Sequence, residues 1–419
     1  MIKAVTGTKD ILPDDIEKWY LVENLVREIF KLFNYKEIRT PVFEETALFS
    51  RGIGEATDIV SKEMYTFLDR SELSLTLKPE MTASVVRAFI EHSLDKKNNL
   101  NKLFYISPMF RQERPQAGRF RQFHQFGAEA LGSNDPLLDA EMIIMAYTVF
   151  KNLGLKNVNV KINSLGEPNS REIYKKELHN YLSDKIEKLS EDSKRRIDIN
   201  ILRIFDSKEL QDIEIMKNAP VLLSYIDEQS LNQFEEVKKC LLNNNIPFEV
   251  DTTLVRGLDY YTNTTFEVVS GSVGSQSALC GGGRYNLLIE QLGGKPTPGV
   301  GFAAGIERLL LACENENCLN LPNEKIDVYV VRLDNELKHE AYNLCLRFRS
   351  KGIISETDYA GRSIKAQMRE ANKYGSKFVL FLGGDEYKQN KVVLKNMYNS
   401  EQTNFDLNEM EQIEKLLCH

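Results

Sequence analysis

Arg111–Glu129 reads RQERPQAGRFRQFHQFGAE and holds four arginines, Arg111, Arg114, Arg119 and Arg121, in a chain whose formal net charge is −7. A guanidinium is a planar fork of donors that matches phosphate and carboxylate. Four of them so close together repel one another unless something anionic sits between or beside them. The segment is therefore a candidate phosphate site. It reads as a hairpin: a strand over Leu103–Phe110, a turn over Gln112–Arg119 suited by Pro115 and Gly118, and a strand over Phe120–Leu131. Strand residues alternate faces. One face of the second strand then carries Arg121, Phe123, Gln125, Gly127 and Glu129, and the other carries Phe126, Ala128 and Ala130. The polar face is expected to floor a cleft and the apolar face to pack on helices. Arg111 and Arg119 flank the turn and could face one anion, and Phe123 could stack on a base. For Arg121 alone, a solvated surface position is an equally good reading.

Four further segments carry polar side chains on turns. LVRGLDYYT, Leu254–Thr262, sets Arg256 before a glycine and supplies Tyr260 and Tyr261, although alone it also describes a strand and turn with core tyrosines. ALCGGGRY, Ala278–Tyr285, is expected to place three glycines after a strand, where a ligand or another chain can lie close to the backbone. GVGFAAGIERLLL, Gly299–Leu311, misses the dinucleotide spacing by one residue. It sets Arg308 instead in the first turn of a helix, beside donor-rich backbone that suits a phosphate. LKPEMT, Leu77–Thr82, puts Glu80 in a strand-to-helix turn, as a substrate carboxylate or as a helix cap. There is no Walker A sequence, HEXXH or nucleophile elbow. Arginines, carboxylates, amides and aromatics fit positioning and charge neutralisation, the means by which phosphoryl and nucleotidyl transfer are mostly catalysed.

The elements that must hold these residues follow from the pattern. At 419 residues the chain should form two or three domains. Hydrophobic content of 42% with 27% charged residues describes a soluble globular protein, and neither a signal peptide nor a membrane span is expected. The six scattered cysteines should be reduced thiols, and a structural metal is not expected. An amphipathic helix is predicted over 15–33, capped by Asp14 or Asp15. A strand over Lys36–Val42 carries Pro41 and should lie at an edge, bulge or interface. Leu73–Leu77 and Lys156–Ser164 read as strands, Thr82–Phe89 and Pro136–Leu153 as helices. Lys/Glu-rich helical sequence from about 171 to 247 reads as an inserted module. Strands are expected at Phe248–Val255 and Thr264–Val269, and helices at Tyr285–Leu292 and from Ile306. Leu319–Glu324 reads as a linker, after which strands and helices alternate to the end as a small α/β domain.

Taken in order, these motifs resemble the bacterial-type histidyl-tRNA synthetases, a class II aminoacyl-tRNA synthetase family, over nearly the whole chain. The end of the strand at Arg39–Pro41 with its helix is similar to the first class II motif, FRQERPQAGRFRQFHQFGAE to the second and GVGFAAGIERLLL to the third; LVRGLDYYT and ALCGGGRY resemble the two histidine-specific signatures. The resemblance implies an α+β catalytic domain with a mixed, mainly antiparallel sheet flanked by helices over 1–324, and an anticodon-binding α/β domain over 325–419. It implies that ATP and L-histidine give histidyl-adenylate and pyrophosphate, and that histidine then passes to the 3′ end of tRNA(His). By it, Arg111 holds the α-phosphate and the substrate carboxylate, and Arg256 approaches from the other side. Arg119 and Arg308 grip the triphosphate, and Phe123 stacks on adenine. Glu80, Thr82 and Gln125 hold the ammonium, Glu129 and Tyr261 bond the imidazole, and Tyr260 and Tyr285 complete the wall. Arg114 and Gln116 meet the acceptor end of the tRNA. Magnesium comes with ATP, with no protein cage for a metal. A cytoplasmic homodimer is implied too. Met81 and Asn263 fall at positions expected to vary. The competing reading is a non-catalytic histidine-sensing paralogue such as the regulatory subunit of ATP phosphoribosyltransferase. It typically lacks the C-terminal domain and loses parts of the signatures, whereas Glu80, Arg256, Arg308 and a C-terminal domain are all present here.

Overall fold

The alternating stretch 122–131 forms a strand near the middle of an eight-stranded sheet. The computed structural model describes residues 2–54, 57, 59–255, 260–274, 278–321 and 325–418. The chain divides into two compact units, Met1–Leu321 and Pro322–His419.

In the first unit, helix α1 (Pro13–Leu32) leads to a short strand β1 (Lys36–Glu37), then β2 (Phe43–Glu45), α2 (Thr46–Ile53), β3 (Tyr65–Leu68) and β4 (Ser74–Leu77). Helix α3 (Thr82–Glu91) precedes the hairpin β5 (Asn101–Phe110) and β6 (Gln122–Leu131), followed by α4 (Pro136–Asn152) and β7 (Val158–Ser164). The inserted module contains α5 (Pro168–Leu182), α6 (Glu191–Asn200), α7 (Leu210–Met216) and α8 (Glu228–Asn243). Then come β8 (Phe248–Val250), β9 (Thr262–Ser270), β10 (Ala278–Arg284), α9 (Leu288–Gln291), β11 (Gly299–Gly305) and α10 (Ile306–Glu316). The large sheet runs β1-β5-β6-β11-β10-β9-β7-β8, antiparallel except for β1–β5 and β7–β8; β2-β4-β3 form a small sheet of their own.

The apolar face of β6 explains the packing. Phe126, Ala128 and Ala130 are fully buried with Trp19, Val22, Val26 and Phe30 of α1 and with Met142, Ile143 and Val149 of α4. Rings meet edge to face within this layer, Phe30 with Phe104 at 5.2 Å between centroids. A second cluster on the other side of the hairpin gathers Tyr105, Met109, Val85, Phe89, Tyr260, Tyr261 and Tyr285. One sheet face is thus covered by helices, and the other carries the cleft.

Several local expectations change. Pro13 opens α1, so Asp14 and Asp15 sit in its first turn and provide no side-chain cap; their charge favours the helix dipole instead. The strand expected over 36–42 forms ladder pairs only at Lys36 and Glu37, on the sheet edge where Pro41 directed it. The strand expected over 248–255 ends at Val250. The run Gly281–Gly283 does not follow a strand but lies inside β10, paired on both sides. Short α2, β3 and the late strand β16 have no counterpart in the sequence reading.

The second unit has β12 (Val328–Arg332), α11 (Lys338–Arg349), β13 (Ser355–Thr357), α12 (Ile364–Lys373), β14 (Phe378–Leu382), α13 (Gly384–Lys388), β15 (Lys391–Asn396), β16 (Gln402–Asp406) and α14 (Met410–Leu417). Its sheet runs β13-β12-β14-β15-β16, parallel among β13, β12 and β14 and antiparallel beyond. The six cysteines are free thiols. Among the described residues, no helix is long and apolar enough to cross a membrane.

Candidate active site

The polar face of β6 floors a cavity of about 270 Å³. Along this strand Phe123 and Glu129 are six residues apart, roughly 20 Å at the rise of an extended chain. That span covers a nucleotide and an amino acid end to end, with Phe123 and Gln125 on the lining and Glu129 buried behind it. Phe123 and Gln125 from β6, Gly301 and Ala303 from β11, and Cys280 and Gly281 from β10 line the cavity. These strands are adjacent and antiparallel, so their upward-facing residues form one surface.

The arginines gather at the hairpin end. Arg111, Arg119 and Arg308 all line the cavity. Arg111 donates from Nε to the Pro79 carbonyl at 2.9 Å, and its guanidinium lies 5.3 Å from the Phe123 ring centroid. Arg308 sits in the first turn of α10 and donates to the Ala278 carbonyl at 2.8 Å. Burial, followed by the charge of Arg119, pushes its guanidinium below the ordinary range. An anion bound here would relieve that repulsion. Glu113, which no sequence motif singles out, holds Arg111 and Arg119 together. Glu113 accepts from Arg119 at 2.8 Å and stands 3.7 Å from Arg111. Its position between the arginines of RQERPQAGR was the available signal.

Arg121 belongs elsewhere. Its backbone N–H donates to the Gly7 carbonyl at 2.7 Å and its Nη1 to the Thr6 carbonyl at 3.3 Å, so it anchors the N-terminal segment to the hairpin. A side chain at Gly7 would meet Arg121 Cγ at 2.8 Å. Arg114 and Gln116 are exposed at the hairpin tip and are not on the cavity lining. Arg256 lies outside the described residues.

Carboxylates and tyrosines occupy the far end. Glu80 is buried and accepts the backbone N–H groups of Thr82 and Ala83, each at 2.8 Å, so the capping reading is correct; its carboxylate also lines the cavity. Burial raises the Glu80 carboxyl against the pull of those two bonds. Gln125 is on the lining and, among the described residues, its Oε1 finds no hydrogen-bond partner, an acceptor that a cationic ligand group would satisfy.

Glu129 lies fully buried and is not itself on the lining, but Thr82 and Tyr285, both bonded to it, are. It accepts the Thr82 hydroxyl at 2.7 Å, the Tyr285 hydroxyl in a short bond, and the Tyr105 hydroxyl at 3.5 Å. Burial pushes its carboxyl up to about 8, opposed by the Tyr285 and Thr82 bonds, with nearby Glu80 adding to the rise. Tyr260 packs its ring 4.8 Å from Tyr261 and 5.7 Å from Tyr285, making one aromatic wall. The strand glycines clear this space. A Cβ at Gly301 would fall 1.7 Å from Glu129 Oε2, and one at Gly283 would fall 3.0 Å from Tyr261 Cδ1.

Two supporting pairs escaped the sequence reading. Glu307, beside Arg308, accepts the His124 backbone N–H at 2.9 Å and meets its Nδ1 at 3.0 Å, locking α10 to β6. Arg284 forms a buried ion pair with Asp139 and also donates to the Ser133 and Asp135 carbonyls, fixing the end of β10 beside Tyr285. Among the described residues, no cluster of three or more metal-ligating side chains occurs. Glu113 and Glu267 line the cavity near the arginines. One or two carboxylates with phosphate and water suit magnesium.

The cleft thus places cationic donors at one end and buried acceptors at the other, and it can hold a polyanion joined to a small cationic, ring-bearing molecule. The family described as "Histidyl-tRNA synthetase" matches residues 7–309, and that described as "Anticodon binding domain" matches residues 327–416. The histidine–tRNA ligase of Halothermothrix orenii is 50% identical over 418 residues, covering 99% of this chain and 100% of that protein. That of a Geobacillus species (strain WCH70) is 50% identical over 405 residues, 96% of each. The crystal structure of apo histidyl-tRNA synthetase from S. aureus superposes with a TM-score of 0.84 at 39% identity, covering 99% of this chain and all of that one.

Proposed function

The chain belongs to the histidyl-tRNA synthetase family, and we infer that its cleft activates L-histidine with ATP and then passes it to the 3′ end of tRNA(His). The observation that carries the reading is the polarity of one cavity, with arginines converging at one end and a tyrosine-walled, buried carboxylate at the other.

In this reading adenine stacks on Phe123, and Arg119 and Arg308 hold the triphosphate. The histidine ammonium lies against Glu80, Thr82 and the carbonyl of Gln125. The histidine carboxylate, brought to the α-phosphate, adds negative charge to negative charge. Arg111 spans both groups, and Arg256 offsets the repulsion from the opposite side. Donors fixed in advance where charge develops lower the barrier without reorganising. The carboxylate oxygen attacks phosphorus, pyrophosphate leaves, and the mixed anhydride remains in the cleft. Magnesium accompanies the triphosphate, with Glu113 and Glu267 as the carboxylates at hand. Glu129 and Tyr261 bond the imidazole, while Tyr260 and Tyr285 close the pocket. Ring nitrogens are selected because an analogue without them leaves buried polar groups unpaired.

Transfer to tRNA uses the exposed hairpin tip, Arg114 and Gln116, for the acceptor end, with 1–324 as catalytic domain and 325–419 as the anticodon-binding domain. The protein acts in the cytoplasm as a homodimer. Exposed Val42, Phe43, Phe67 and Leu68 on and beside the small sheet supply apolar surface for a second copy. A regulatory paralogue would bind histidine without activating it. Histidine-dependent exchange of pyrophosphate into ATP separates the two: exchange with histidine is expected, and exchange with another amino acid, or none at all, would refute the reading.

A further inference from the structure

The Tyr260–Tyr261 wall is held from outside the cleft, by the start of the inserted helical module. Glu167 occupies the N-cap position of α5 but makes no capping bond with its own helix. Its carboxylate is turned away and accepts from Asn263 Nδ2 at 2.7 Å. One helical turn on, Arg171 donates from Nη1 to the Tyr261 carbonyl at 2.8 Å.

Asn263 itself sits in a break in the ladder. β9 and β10 change register between Gly283↔Thr265 and Arg284↔Thr262, so two residues bulge. At this bulge Asn263 takes φ +43°, a left-handed conformation uncommon for a residue with a side chain. Its backbone is satisfied by the module's entry turn: its N–H donates to the Gly166 carbonyl at 3.1 Å and its carbonyl accepts from Leu165 at 2.7 Å. A bulge beside a site re-aims the neighbouring side chain. Here that neighbour is the aromatic pair lining the cavity. The other end of the stretch is held by buried Asn163, whose Nδ2 donates to the Leu254 carbonyl at 3.0 Å.

We propose that Arg171 and Glu167 are positioning residues for substrate histidine, holding the Tyr260–Tyr261 wall through its backbone so that the seat of the inserted module sets the shape of the histidine pocket. The proposal rests on the assignment of this end of the cleft to histidine. Neither residue touches the cavity, so the effect is on fit, not on chemistry.

The test measures pyrophosphate exchange, varying histidine and ATP separately, for R171A, R171K and N263G. A displacement of pocket groups by a fraction of an ångström weakens binding steeply, so R171A and N263G should each raise KM for histidine about ten-fold, with kcat within about three-fold and KM for ATP unchanged. R171K keeps a cationic donor and should recover most of the loss. Glycine accepts the left-handed backbone at 263, so N263G tests the tie even if R171A folds poorly. Unchanged KM for histidine in R171A and N263G, or equal rises for histidine and ATP together with a lowered melting temperature, would overturn the proposal. A wild-type protein without histidine-dependent exchange would remove the functional reading, and this proposal with it, before any variant is compared.

Discussion

Replacing Glu129 by glutamine separates the cost of burying a carboxylate from its use. Burial places this carboxyl at about 8, against an ordinary 4.5. The unfolded chain therefore releases the proton near 4.5 and the folded chain near 8. Between those values the folded state binds more protons, so stability is fully present below 4.5, falls as pH rises through the window, and stays low above 8. At 1.36 kcal/mol per pH unit the loss amounts to about 5 kcal/mol at most. Glutamine mimics the protonated carboxyl and has no proton to lose. Its carbonyl can accept from Thr82 and its amide can face the tyrosine oxygens. E129Q should accordingly melt close to wild type at pH 5 and higher at pH 9, by on the order of 10 °C in a unit of this size. Calorimetry of both proteins from pH 5 to 9 reads the difference directly, because other titrating groups cancel. A difference that stays constant over this range would show that the three hydroxyl donors keep Glu129 ionised throughout, and would refute the argument. In pyrophosphate exchange above pH 8, where the wild-type carboxyl is ionised, losing a charged acceptor worth about 1.5–3 kcal/mol should raise KM for histidine about ten- to hundred-fold.

Other substitutions test other links. G301A drives a methyl into Glu129 Oε2, 1.7 Å away, and should lose histidine-dependent exchange while costing about 1–3 kcal/mol of stability; wild-type kinetics would contradict the packing. R284A leaves Asp139 charged and buried, and should lower stability by about 3–5 kcal/mol, seen as a shifted urea midpoint; an unshifted midpoint would mean that water compensates the carboxylate. R256A should nearly abolish adenylate formation with the melting temperature unchanged, and wild-type turnover would end its assigned role. R114A should weaken tRNA charging more than pyrophosphate exchange, whereas equal losses would argue against a contact with tRNA.

The floor of the cleft was legible because strand alternation is a short-range rule. Phe123 and Gln125 against Phe126, Ala128 and Ala130 required only the period of two. Arg308 in the first turn of its helix was legible for a similar reason. What escaped depends on partners far apart in sequence. Glu129 meets Tyr105, Thr82 and Tyr285 from three other elements, and no local pattern couples them. The same holds for Asp139 with Arg284, and for Glu307 with His124. The glycines of ALCGGGRY lie inside β10 and not after a strand, yet they serve the close approach expected of them: a Cβ at Gly282 would meet the Gly301 carbonyl at 2.3 Å. Arg121 shows the opposite case. Its residue type matched the cavity-lining arginines, and its bonds to Thr6 and Gly7 separate it from them.

That separation bears on how the cleft holds its charge before substrate arrives. Three arginines converge on the cavity, and Glu113, a carboxylate close to two of them, comes from their own hairpin. Like charges held together without such a partner would splay the hairpin or draw in solvent ions. Glu113 keeps Arg119 aimed at the cavity, and the Pro79 and Ala278 carbonyls do the same for Arg111 and Arg308. The contacts of Arg111 and Arg308 each use one guanidinium N–H of the five that the side chain carries. At the far end the order is reversed: Glu80 and Glu129 are held by backbone and hydroxyl donors, leaving acceptor capacity. The opposed ends are fixed by one strand of rigid length. A ligand must then present negative charge and a cationic, ring-bearing head roughly 20 Å apart at most, and a free nucleotide or a free amino acid satisfies only half of the floor.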